Sequence, residues 1–503
     1  MWMAYRSTLT VTTLDGLCQL QLNIRRCHNA ECSRYRHPYR PEEEGRWVLP
    51  HGEFGLDIIA FIGTQRYEKH RSVPEIHQAL CKRGVTIAER TVTNLLARYE
   101  ELVTLHLSSL ARLRDLLTSQ GHVILALDGL QPDVGHEVLW VLCDCLSGEV
   151  LLARSLLSAS EADLAVLLRE VQQALPVPIH GVISDGQHSI RNAVHSVLPG
   201  VPHQLCHFHY LREAAKPIYE ADRHAKKELK KHIRGVCPIE RTLEYRQDTE
   251  AEVIRDYCLA VRSALTDDGR PPLSASGLKL HERIAQITAS LARVSGKGGL
   301  PRELERMQSF LTKGLAETHA LWANVEMGYR WVHRAAHLLT NEEKQNASQV
   351  RQNYEALLAE IEQAKTSSET VTAMLATFRK VTASYWPGLF HCYDVADLPR
   401  TNNDLEQYFG SARYHERRAT GRKVASPGVV VRGAVRVVAS VASRLHHFCG
   451  ADLQPRDIER WYTLRDELDV RQQSRRAQFR FRRDPGAYLA DLENKLLLLR
   501  LPP

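Results

Sequence analysis

The chain's 503 residues exceed what one compact core organises and predict about three or four domains. Lysine and arginine outnumber aspartate and glutamate, 66 against 59, for a net charge of +7 at pH 7 that suits a polyanionic partner without demanding one. No apolar run approaches the roughly 20 residues that span a bilayer, the opening MWMAYRSTLT lacks the apolar core of a signal peptide, and 11 scattered cysteines argue for an intracellular, reducing setting without disulfides.

Residues 1–54 are polar and read as a small cysteine- and histidine-containing segment. Cys27 and Cys32, with His37 nearby, offer part of a tetrahedral zinc set. No second cysteine pair completes it, so free thiols are the competing reading.

Residues 55–120 turn helical. Ser72-x-x-Glu75 and Thr86-x-x-Glu89 have the form of capping boxes, with Gly84 turning the chain between two helices. One apolar face would carry Ile76 and Leu80, the other Val92, Leu95, Leu96 and Tyr99. The shape is a helix-turn-helix whose second helix presents Arg90, Thr93, Asn94 and Arg98 to bases or phosphates, or else an ordinary packed hairpin. Leucines from Leu102 to Leu117 prolong it as a linker, a dimer contact or core.

Residues 121–215 alternate as an α/β unit. Strands are predicted at 122–128, 137–146, 149–157, 179–185 and near 204–208, with helices over 161–175 and around Ile190 to Val194. The order strand, strand, strand, helix, strand, helix, strand is that of an RNase H-like core. Residues 216–395 read as an all-helical insertion, 396–450 as the last part of the core, and 451–503 as a basic helical tail. In that tail RQQSRRAQFRFRR interleaves Phe479 and Phe481 with arginines including Arg475 and Arg476, either a phosphate-binding surface or a solvated helix. The fold class is thus multidomain, α/β plus all-α.

Two of the buried strands end in Asp-Gly, VILALDG at Asp128 and GVISDG at Asp185. Side by side, two such carboxylates bind Mg2+ or Mn2+ through hard oxygens, and a pair of ions can activate an attacking oxygen and stabilise a leaving one. A single such Asp is as readily a turn cap. Far downstream, TNNDLEQYFG carries Glu406, with Arg413 and Arg417 on the same helical stripe and Arg418, Arg422 and Lys423 extending the charge. Asn403-x-x-Glu406 also has the form of a capping box.

On these residues the chain resembles the DDE-type transposases of bacterial insertion sequences, with Asp128, Asp185 and Glu406 at the positions of the acidic triad. The second interval, 406 minus 185 or 221 positions, far exceeds the first, 185 minus 128 or 57, as in Mutator and hAT relatives whose core a helical domain interrupts. Cys206-His-Phe-His209 is similar to their Cys-x-x-His motif, which helps organise the active site. The resemblance spans about residues 55–450. It implies two-metal cleavage at the terminal inverted repeats of a mobile element, joining of the freed 3'-hydroxyl to target double-stranded DNA, a homodimer or higher oligomer, no membrane, and a bacterial cytoplasmic, nucleoid-associated location. The rival readings are an RNase H-like nuclease that does not join strands and a non-catalytic, domesticated DNA-binding protein.

Overall fold

The polar opening of the chain is a β-hairpin. β1 (Trp2–Thr13) and β2 (Gly16–Arg26) pair antiparallel with Leu9 opposite Leu20. Leu14-Asp15 makes the turn, Gly16 opens β2 at φ +122° where a side chain would be strained, and Val11, Leu22 and Ile24 are buried along one face. β3 (Pro38–Tyr39) adds to β2 through Arg25 and Tyr39. The sequence reading missed these strands because charged and polar residues dilute their alternation.

The computed structural model describes residues 2–107, 110–131, 137–266, 269–363, 368–421 and 427–500, and in a few helical positions, Glu406 and Arg413 among them, the backbone alone. It divides into two units: 1–182 with 188–201 and 403–503, and 183–187 with 202–402. Among the described residues no helix is long and apolar enough to cross a membrane.

In the first unit α1 (Leu56–Tyr67), α2 (Val73–Cys81) and α3 (Glu89–Leu107) enclose Ile58, Ile62, Ile76, Leu80, Val92 and Leu96. The Ser72–Glu75 capping box forms, Gly84 turns the chain at φ +82°, and α3 starts at Glu89, leaving Thr86 outside the helix. Gly63 lets α1 lie against the Tyr99 ring, where an added Cβ would fall 2.1 Å from a ring carbon. After α4 (Leu110–Gln120) come β4 (Val123–Leu130), β5 (Val138–Asp144), β6 (Val150–Leu156), α5 (Glu161–Ala174), β7 (Ile179–Ser184) and α6 (His188–Val197). The predicted element order holds from β4 to α6. β4 is apolar on both faces because it lies inside the sheet, whose order is β6-β5-β4-β7-β8, with β8 at His203–Leu205. β4 pairs antiparallel with β5, setting Asp128 opposite Val141. Leu125, Leu127, Trp140, Leu164, Leu168 and Ile190 share one core with α5 and α6.

The second unit is helical from α7 (His207–Ala214) onward. It continues through α8 (Lys216–Ile233), α9 (Val236–Thr242), α10 (Thr249–Thr266), α11 (Ser276–Gly298), α12 (Arg302–Thr340), α13 (Ala347–Gln363) and α14 (Glu369–Tyr385). Cys206 to Phe208, read from sequence as the end of a strand, instead start α7, with Cys206 as its N-cap residue. Trp322 and Trp331 are core residues. Back in the first unit are α15 (Asn403–Thr420), α16 (Pro427–Leu445), α17 (Ile458–Arg483) and α18 (Pro485–Arg500).

Candidate active site

Asp128 sits near the end of β4, 8% exposed, and its Oδ1 accepts the Gly129 N–H at 2.7 Å. Gly129 serves packing here: an added Cβ would meet Val138 and the cross-strand Trp140 at 3.1 and 3.2 Å, so the tryptophan takes the space beside this glycine. The backbone of α15, the helix that carries Glu406, packs against β4 within this same unit. The Glu406 and Arg413 side chains lie outside the described residues, as do Arg422 and Lys423 altogether.

Asp185 belongs to the second unit. Its Oδ1 accepts the Gln187 N–H at 2.9 Å, its carbonyl accepts the Tyr385 hydroxyl at 2.8 Å, and Gly186 follows at φ +85°. Fully buried Cys206 ties this turn to a distant segment. The Cys206 N–H donates to the Ser184 carbonyl at 2.9 Å, and its Sγ accepts the Asn402 N–H at 3.4 Å. Asn402 immediately precedes α15. The His207 N–H donates to the Arg400 carbonyl at 3.0 Å, a second bond to the same stretch.

Two further residues hold the approach to that stretch. Gln204, fully buried, donates to the carbonyls of Leu205 and Leu389 and accepts the Cys392 N–H at 2.9 Å. His207 Nε2 lies 2.7 Å from the Leu389 carbonyl, which can only accept, so Nε2 carries the proton. Burial pushes the His207 pKa down to about 4, keeping the ring neutral. His209, 7% exposed, points into the packed side of α7 beside Phe208. Sequence reasoning found the Cys206-His-Phe-His209 motif but missed Gln204, a polar residue buried in β8.

The residues chosen from sequence as DNA contacts fall into two groups. Arg90, Thr93, Asn94, Arg417, Arg418 and Arg476 are exposed on α3, α15 and α17. Arg98 and Arg475 are engaged internally: Arg98 donates from Nη1 to both Glu101 oxygens at 2.6 and 2.9 Å and lies over Trp461, and Arg475 is buried over Phe479. Glu101 and its neighbour Glu100, each 1% exposed, head a network that sequence reasoning missed. Glu100 receives Arg432 at 2.8 Å, Arg436 at 3.0 Å and the Tyr67 hydroxyl at 2.7 Å. Glu101 also receives Arg432 at 3.1 Å and the Trp461 indole at 3.0 Å. Arg436 extends to Glu416 of α15, which Arg66 of α1 grips from the other side at 2.7 Å. Burial lowers the Arg436 pKa, but Glu100 and Glu416 outweigh it and leave the guanidinium raised. The signal was Glu100 itself, a carboxylate four residues beyond Leu96 on the apolar stripe of α3.

For a metal, the carboxylates of Asp128 and Asp185 have the right chemistry, hard oxygens with one atom of each fixed by a backbone N–H. Among the described residues no group of three or more His, Cys, Asp and Glu is placed to hold an ion. Cys27 and Cys32 are free, partly buried thiols. Compared with known proteins, the chain matches no protein-family model and no curated protein.

Proposed function

We propose that the chain is a DDE-type DNA transposase on an RNase H-like core, with Asp128, Asp185 and Glu406 as its acidic residues. The observation that carries the reading is the Cys206 bridge, which bonds on one side to the residue before Asp185 and on the other to the residue before the Glu406 helix. Support also comes from the sheet order β6-β5-β4-β7-β8 and from α15 lying on the strand that carries Asp128.

In this reading the three carboxylates hold Mg2+ or Mn2+, which when bound lower the pKa of the attacking water and stabilise the leaving oxygen. The N–H groups of Gly129 and Gln187 fix one oxygen of Asp128 and Asp185 and so orient each carboxylate. Cys206 and His207 hold the chain entering α15, which positions Glu406. Exposed Arg90, Thr93 and Asn94 on α3 would contact the terminal repeats, with Arg417, Arg418 and Arg476 adding phosphate contacts. Cleavage at the element end frees a 3'-hydroxyl, which attacks a phosphodiester of target DNA and displaces a target 3'-oxygen without a covalent enzyme intermediate. Two ends must meet, so a homodimer or higher oligomer acts, in the bacterial cytoplasm on nucleoid DNA.

The test uses the full chain, labelled duplexes taken from the DNA flanking its own coding sequence, a target plasmid and Mg2+. Joined products are expected. Asp185→Asn and Glu406→Gln should each lower joining by more than the roughly 10–100-fold that loss of a partner supporting a metal ligand costs. Cleavage without joining would indicate a nuclease, binding alone a regulator, and joining that survives Asp185→Asn would overturn the metal-site assignment.

A further inference from the structure

The N-terminal hairpin turns one polar face to solvent. Arg6, Thr8 and Thr10 of β1 stand opposite Asn23, Gln21 and Gln19 of β2, and Arg25 lies two residues beyond Asn23 on the same face. All seven are exposed, whereas Val11, Leu22 and Ile24 are buried on the other face. A face kept only for solubility mixes both signs of charge. This one sets arginine beside amides and hydroxyls, with no carboxylate among the seven. β3 pairs only with Arg25 and Arg26, so the sheet around the three cross-strand pairs is a ribbon two strands wide.

We propose that this ribbon reads base edges in the major groove of double-stranded DNA, as a recognition element separate from α3. The major groove, about 12 Å wide, admits a two-stranded ribbon. There asparagine and glutamine bond bidentately to adenine and arginine to guanine, and these are the side chains the face carries. Residues two apart on a strand are about 6.8 Å apart, close to two base-pair rises, so the ladder from Arg6 to Thr10 spans about five base pairs. The ribbon is anchored near its turn. The Thr12 N–H donates to the Glu53 carbonyl and the Thr12 carbonyl accepts the Gly55 N–H, both at 2.8 Å, and the Leu14 N–H donates to Asp57 of α1 at 2.6 Å. α1 in turn lies against Tyr99 of α3, which sets the ribbon's place relative to Arg90 and Asn94. Duplex RNA is the poorer partner because its major groove is too deep and narrow for side chains to read. A protein partner would want apolar or aromatic residues at the centre of the face, where Thr8 and Gln21 stand instead. The inference rests on the transposase reading only for DNA as the partner, and not on the chemistry at Asp128, Asp185 or Glu406.

Selection from a library of DNA duplexes with a randomised centre tests it, using the full chain and its Gln21→Ala and Asn23→Ala variants, both at exposed positions. The wild type is expected to enrich a defined sequence. Each variant should lose base preference within one segment of about five base pairs, and should bind the wild-type-selected duplex about tenfold more weakly while binding unselected duplex equally well. Methylation of guanine N7, which lies in the major groove, should block binding when placed in that segment. Enrichment of no sequence by the wild type, base preference unchanged in both variants, or tighter binding to duplex RNA of the selected sequence would overturn the proposal. The expected preferences in a chain that fails to join strands would support the ribbon and count against the transposase reading alone.

Discussion

His207 is the residue whose chemistry most directly ties pH to the fold. Its folded pKa of about 4 lies below the ordinary histidine value near 6.5, so the unfolded chain takes up the proton first. Its contribution to stability is therefore complete above about pH 6.5 and is lost as pH falls towards 4, by on the order of 3 kcal/mol. Urea unfolding of the wild type and His207→Gln between pH 7 and pH 4 should show the wild type losing more stability by about that amount; parallel curves would refute it. Cys206 acts through a hydrogen bond. Cys206→Ala leaves the Asn402 N–H buried without its acceptor, costing about 1–3 kcal/mol in urea unfolding, and Cys206→Ser should recover part of it. If Cys206 also positions Glu406, the alanine variant loses joining by about 10–100-fold while DNA binding holds. The Cys-x-x-His spacing was legible in the sequence. The acceptor role of the sulfur was not, because its partner lies 196 residues away.

Among the elements, α15 is the one whose placement is most elaborately secured. Glu416 fastens it to α1 through Arg66 and to α16 through Arg436, and Arg436 in turn rests on Glu100 of α3. Glu100→Gln removes the carboxylate that two buried guanidiniums share. Breaking a buried pair from one side costs about 3–5 kcal/mol, since the remaining charge stays desolvated. Thermal unfolding should register that loss for Glu100→Gln, whereas Arg154→Ala, which breaks an exposed pair with Glu170, should change stability by less than about 1 kcal/mol. The apolar stripes of α2 and α3 could be read from their 3.6-residue period, and Ile76, Leu80, Val92, Leu96 and Tyr99 are all buried. Arg98 could not be placed the same way: the period puts it on the polar side, and only Glu101 and Trp461 draw it inward.

For the whole molecule, the excess positive charge divides into arginines that solvent reaches and arginines the fold consumes. If the exposed set binds DNA phosphates, Arg90→Ala and Arg417→Ala should each flatten the slope of log K against log salt by about 0.9 per lost contact. Arg98→Ala should leave that slope unchanged and destabilise the fold instead, and fluorescence anisotropy across a salt series separates the two outcomes. The strand and helix order of residues 121–200 was set by the sequence alone, because alternation and helical period are local patterns that burial enforces residue by residue. The β1–β2 hairpin was locally encoded too, in the Leu14-Asp15 turn before Gly16 and the flanking alternation, although charge masked it. Only the tertiary structure decided that Gly129 makes room for Trp140, that Cys206 meets Asn402, and that Glu100 binds two arginines more than 300 positions away. A local pattern states that a side chain will be buried. Which group neutralises or hydrogen-bonds it there depends on how distant segments pack, and no short stretch of sequence carries that information.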